Sequence, residues 1–212
     1  MPFTVHDADF HRNPAGDGPL DPDGPEGYQS QDVPIPEPHC QAIGRFVAAC
    51  CTIEKRFYYL VQGLLGLEPE LSRAVFGQPS YSQLISRLTT ILEIKSPEKL
   101  KSESGQYILS SVRYIMSVRN IVVHQDLAYR TGWIRYFKDN AKDFSYPNNL
   151  IYPIKLVELD NLSKFAGWVQ IALGFFSGSQ QELDEWSRRS KEFFDNNDLP
   201  EPPEKRVNRL KA

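Results

Sequence analysis

Gln106 to His124, QYILSSVRYIMSVRNIVVH, is the stretch on which the fold turns. Ile108, Val112, Ile115, Arg119 and Val122 follow one another at steps of 4, 3, 4 and 3, the spacing of one face of an α-helix. A second row at such steps, Gln106, Ser110, Arg113, Ser117, Asn120 and His124, has no apolar member. Leu109, Met116, Val118 and Ile121 are apolar as well, so the helix is wrapped by hydrophobic neighbours except along one polar seam. A seam of this kind needs water, a partner or a ligand. Arg119 occupies a core-type position, and burying its charge costs several kcal/mol unless an anion compensates it. Glu54, Asp126 and Asp160 are candidate carboxylates, with Glu54 the first choice; a phosphate from outside the chain is the other candidate.

The same periodicity recurs on either side. Phe46, Cys50, Ile53, Phe57, Leu60 and Leu64 predict a helix over residues 41–65, ended by Gly66. Lys55 and Arg56, beside Glu54, are expected to face solvent. Ser80 and Gln83 have capping-box spacing and open a helix that carries Tyr81, Leu84, Leu88 and Ile91 and closes near Ile94. Ser96-Pro97-Glu98 is a further helix start, with Gly105 expected to separate a short helix from the long one. Leu159, Leu162, Ala166, Val169, Leu173 and Phe176 mark the last strong helix, ended in the region of Gly174 and Gly178, and a shorter one is expected over residues 180–194. Between them, Trp133–Phe137 and Leu150–Tyr152 are rich in strand-favouring residues, with a turn signal at Pro147-Asn148-Asn149, which suggests a small hairpin. Long amphipathic helices with short connections predict an all-α fold, an antiparallel helical bundle with this hairpin as an insertion.

Composition sets the limits around that bundle. Residues 1–38 hold eight of the sixteen prolines, four glycines and eight acidic residues against one arginine, a mixture expected to form a disordered acidic arm. The bundle is expected over 39–197, and a basic flexible tail over 198–212, where three prolines precede Lys205, Arg206, Arg209 and Lys211. Without the arm the formal charge is +4, beside −3 for the whole chain, so the body is mildly basic. That balance allows an RNA or phosphate ligand but lacks the strong basic character of dedicated DNA binders. No secretory signal and no apolar run long enough for a bilayer are visible, so a soluble, cytoplasmic protein with no membrane partner is expected. Cys40, Cys50 and Cys51 lack paired metal-ligand spacing and are expected to be reduced core residues; zinc bound through His39 and the cysteines is the lesser alternative.

His124 is the only histidine after position 39. An imidazole can take and give a proton near neutral pH, and a guanidinium is shaped for phosphate oxygens. Arg119, a polar residue directly after it and His124 five positions on, set in a long helix of a bundle, resemble the motif of the HEPN (higher eukaryotes and prokaryotes nucleotide-binding) family. The resemblance implies a helical bundle, frequent homodimerisation that brings two motifs together and, in many members, metal-independent RNA cleavage in toxin–antitoxin or other defence settings. On that basis Arg119, Asn120 and His124 are the expected catalytic residues, Arg113 and Ser117 the expected substrate-binding ones, and no metal or cofactor is called for. RNA, a second copy of the chain and an antitoxin protein are the expected partners. A non-catalytic helical dimer that binds RNA, nucleotide or protein through the same seam, and an adaptor whose seam is a polar interface, are the alternatives. Five residues of ideal helix leave Arg119 and His124 about 140° apart around the axis. That divergence predicts either a distorted helix or a site shared by two chains, of which the dimer is the favoured solution.

Overall fold

Helix α1 (Glu37–Leu65) buries Phe46, Cys50, Ile53, Phe57 and Leu60 along one stripe, and Gly66 stops it by adopting a left-handed conformation at φ 64°. The computed structural model describes residues 35–77, 80–124, 126–130, 133–137 and 151–202. The expected arm at 1–38 therefore lies outside the described residues up to position 34, and α1 already includes Glu37 and Pro38. A short helix α2 (Pro69–Phe76) follows, and its hydrophobic pattern is too brief to be visible as a period. Helix α3 (Tyr81–Lys95) starts on the expected capping box: Gln83 N donates to Ser80 Oγ at 3.4 Å and Ser80 N donates to Gln83 Oε1 at 2.8 Å. Helix α4 (Pro97–Lys101) carries proline in its first turn.

Helix α5 (Glu103–His124) is the element read from the first periodicity. Ile108, Val112, Ile115 and Val122 are buried, Arg119 in the same row is half-buried, and the polar row is exposed but for the half-buried Ser117. Gly105 does not separate two helices here but lies inside α5, close against the Lys99 backbone of α4. Only glycine leaves room for that approach. Ser102 ties the corner, donating to Lys99 O at 2.8 Å and accepting from Gly105 N at 3.0 Å.

Three antiparallel strands in the order β1 (Asp126–Arg130), β2 (Trp133–Phe137) and β3 (Ile151–Lys155) link α5 to α6 (Leu156–Gly174). The expected hairpin is thus present as β2 with β3, Phe137 facing Ile151 and Trp133 facing Lys155, while β1 adds a third strand on the other side of β2. The turn expected at 147–149 lies outside the described residues. A 3₁₀ turn (Phe175–Ser177) leads to α7 (Gln180–Asp195), which opens on a Ser179–Glu182 capping box.

The result is an all-α helical bundle carrying one small sheet. Helix α1 lies along α6, α5 packs on α1, α6 and α7, and α3 closes the other side of α1. Lys99 Nζ donates to Phe176 O at 3.0 Å and to Gly178 O, so α4 satisfies carbonyls left open where α6 ends. Of the tail expected at 198–212, the first residues rest on the bundle: Asn161 Nδ2 donates to Asp198 O at 3.0 Å, Tyr114 Oη donates to Pro200 O at 2.5 Å, and Pro200 is buried. Residues 203–212 lie outside the described residues. No helix among the described residues is long and apolar enough to cross a membrane.

Candidate functional site

The site sits at the C-terminal end of α5, where the helix stops at His124 and the chain enters the sheet. Arg119 Nη1 donates to Asn120 Oδ1 and lies against His124 Nε2, each at 3.3 Å. Because a guanidinium has only N–H donors, the ring nitrogen must be the acceptor, which places the imidazole proton on Nδ1. The three expected catalytic side chains are therefore joined within one chain. This corrects the expectation that helix geometry holds Arg119 and His124 apart until a second copy or a distortion brings them together. The angle of about 140° is measured at the helix axis. Helical side chains lean toward the N-terminus, so the ring of His124 hangs back over the preceding turn, and the long arginine side chain reaches around to meet it.

The counter-charge expected for Arg119 is not among the described carboxylates. Asp160 is taken by Arg45 at 2.7 Å, and Glu54, half-buried on α1, forms no ion pair among the described residues. The side chain of Asp126 lies outside the described residues. Burial pushes the pKa of the Cys50 thiol of α1 up to about 12, while the Arg119 guanidinium pulls it the other way. Of the three cysteines only Cys50 is a core residue; Cys40 and Cys51 are exposed, since neighbouring positions on a helix point in different directions. No group of three metal-ligating side chains occurs among the described residues, and His39 is buried away from any such set.

Arg113 and Ser117, the expected substrate-binding residues, do not touch the Arg119–His124 pair. They line a groove of about 550 Å³ between α3 and α5, which Asn120 joins to the pair. Across from them stands a wall missing from the sequence-based site: Ser82, Ser86, Thr89 and Thr90 of α3, over a floor of Tyr81, Ile85 and Met116. The signal was present in the spacing of Ser82, Ser86 and Thr89 at steps of 4 and 3, a hydroxyl row on one helix face. Tyr81 stands edge-on to Phe57 at 5.8 Å, and its hydroxyl is closed off from solvent without a hydrogen-bond partner among the described residues. Burial raises the pKa of that phenol further, against the opposing pull of Arg113.

Arg56, expected in solvent, is half-buried with its guanidinium folded against Gly174 at the end of α6. Trp168 packs on Trp186 at 5.7 Å, and Tyr58 Oη donates to Gly77 O at 3.2 Å, which places both among the packing residues. Comparison of the chain with protein-family models, with curated proteins and with solved structures finds no match.

Proposed function

We propose that this chain is a metal-independent endoribonuclease of HEPN type. The observation that carries the proposal is the single guanidinium nitrogen, Arg119 Nη1, set 3.3 Å from both Asn120 Oδ1 and His124 Nε2, with no carboxylate on the guanidinium among the described residues. A cation held on the surface side of a bundle by two neutral groups keeps its charge available to an anion. RNA carries its own nucleophile. His124 Nε2 takes the proton of a ribose 2'-hydroxyl as that oxygen attacks the adjacent phosphorus; the P–O2' bond forms, the P–O5' bond breaks, and the leaving oxygen is protonated by an acid. Arg119 stabilises the charge that gathers on the phosphoryl oxygens, and Asn120 holds Arg119 in place.

One imidazole fills one proton-transfer role at a time. A homodimer that sets two such pairs side by side supplies both base and acid, and we assign the active form to that assembly. A mildly basic body suits the polyanion. The HEPN resemblance implies a toxin or defence setting, in which an antitoxin protein is the partner that would restrain the nuclease.

The test is cleavage of mixed RNA in the presence of EDTA by the full chain, His124→Ala and Arg119→Ala. Cleavage to 2',3'-cyclic phosphate ends by the wild type, lost in both variants, is the expected result. Binding without cleavage by the wild type would overturn the nuclease assignment and leave a non-catalytic HEPN-like helical dimer that binds RNA, nucleotide or a partner protein.

A further inference from the structure

The groove between α3 and α5 has an uneven distribution of donors and acceptors. On α5, Arg113 carries five N–H donors and has no hydrogen-bond or ion-pair partner among the described residues. Asn120 gives its oxygen to Arg119, which leaves its amide N–H groups for a ligand. On the α3 wall the two threonines are the reverse. Thr89 Oγ1 donates to Ile85 O at 2.9 Å and Thr90 Oγ1 donates to Ser86 O at 3.2 Å, so each threonine has spent its only proton on the helix backbone. What these two hydroxyls offer the groove is lone pairs. A ligand that brings an anion or acceptor to Arg113 on α5 and a hydroxyl donor to the threonines of α3 matches these groups.

A ribonucleotide has that pattern, with its phosphate on one side and its 2'-hydroxyl on the other. Resting on the RNA reading above, we propose that the α3–α5 groove is a subsite for the nucleotide beside the cleaved bond. Arg113 takes its phosphate, and Thr89 or Thr90 accepts from its 2'-hydroxyl. Arg113 lies six residues before Arg119, about 9 Å along the helix, so this phosphate is distinct from the one that Arg119 engages. The groove therefore distinguishes RNA from DNA at a position where no chemistry occurs. Deoxyribose there leaves a threonine lone pair without its donor, a loss of about tenfold in affinity for one hydrogen bond.

The test uses short oligonucleotides of equal sequence in which one flanking nucleotide at a time is deoxy while the cleavable one stays ribo. Equilibrium binding to His124→Ala is measured by fluorescence anisotropy, and cleavage is followed with the wild-type chain. Expected is one flanking position whose deoxy substitution weakens binding about tenfold and raises KM while kcat holds. In Thr89→Val/Thr90→Val, near-isosteric on an outward helix face, that sensitivity disappears; Arg113→Gln weakens ribo and deoxy forms alike. Cleavage by the wild type with no position sensitive to deoxy substitution would overturn the subsite and leave the nuclease standing. No cleavage, with ribo-selective binding that depends on Thr89 and Thr90, would overturn the nuclease and leave the subsite. Equal binding of ribo and deoxy oligonucleotides at every position overturns the subsite in either case.

Discussion

Replacing Arg119 with methionine separates a working cation from a structural one, because the two make opposite demands on stability. Methionine is unbranched and flexible and can fill the space of the arginine stem, so packing is nearly conserved. What disappears is a charge and two hydrogen bonds of 3.3 Å each, to Asn120 and His124. That length is beyond the usual range for N–H donors, and a net value near the low end, about 0.5 kcal/mol each, is appropriate. Against that loss of about 1 kcal/mol stands relief from holding a half-buried cation with no anionic partner among the described residues, so unfolding free energy should shift by less than about 1 kcal/mol. An arginine locked in a buried ion pair would instead cost about 3–5 kcal/mol on losing its role. For a domain of this size the two cases differ by roughly 2–4 °C in Tm per kcal/mol, easily resolved by circular dichroism. Cleavage in EDTA should fall about 100- to 1000-fold, the usual cost of removing one preorganised donor from a developing charge. A variant that loses more than about 3 kcal/mol, with RNA binding unchanged at matched folded fraction, would refute the assignment of Arg119 to phosphate.

Two further outcomes follow from the packing. Gly105→Ala puts a methyl group inside van der Waals distance of the Lys99 carbonyl oxygen, and also 3.0 Å from its carbon and 3.2 Å from Ser102 Oγ. The α4–α5 corner must move, so destabilisation of about 2 kcal/mol is expected in thermal melts; a gain of about 1 kcal/mol, as helix propensity alone predicts, would contradict the close approach. Cys50, with its pKa pushed up from 9.0 to about 12 by burial, should resist a thiol reagent in the native state while Cys40 and Cys51 react. Because the folded value lies above the unfolded one, its contribution is complete below pH 9.0 and is lost as pH rises toward about 12. Denaturation midpoints measured through that window should fall, and Cys50→Ala should flatten the decline; an identical slope in the variant would show that Cys50 does not titrate as its burial requires.

The long periodic segments were legible because each repeats its pattern over several turns. Ile108, Val112, Ile115 and Val122 announced the buried side of α5, Ser80 and Gln83 announced the start of α3, and Gly66 the end of α1. Features that depend on a neighbour were not legible. Gly105 looked like a helix break because its requirement is room for the Lys99 backbone, which no local pattern records. Helix α2 spans Pro69–Phe76 and offers about two turns, too few to establish a period. Strand β1 depends on pairing with β2, from Asp126 opposite Phe137 to Arg130 opposite Trp133. Among the site residues, Arg119, Asn120 and His124 were visible as a motif, whereas the hydroxyls of α3 were not. Serine and threonine in a helix commonly bond back to their own backbone, and their value as acceptors emerges only when α5 stands opposite.

The meeting of Arg119 and His124 within one chain alters what a second copy has to provide. If the pair were split between chains, a monomer would lack even a phosphate site, and dimerisation would control affinity and chemistry together. With the guanidinium and imidazole 3.3 Å apart in a single chain, the proposed anion site needs no residue from a second copy. In the proposed nuclease, a phosphate that draws the Nη1 N–H groups of Arg119 to itself would leave the His124 Nε2 lone pair open to act as the base. Association then supplies only the second proton carrier. Affinity for RNA should therefore persist on dilution to the monomer, while turnover falls with the fraction of dimer, and the two curves separate along the concentration axis. Their coincidence would return the shared site to favour, since binding and catalysis would then need the same assembly.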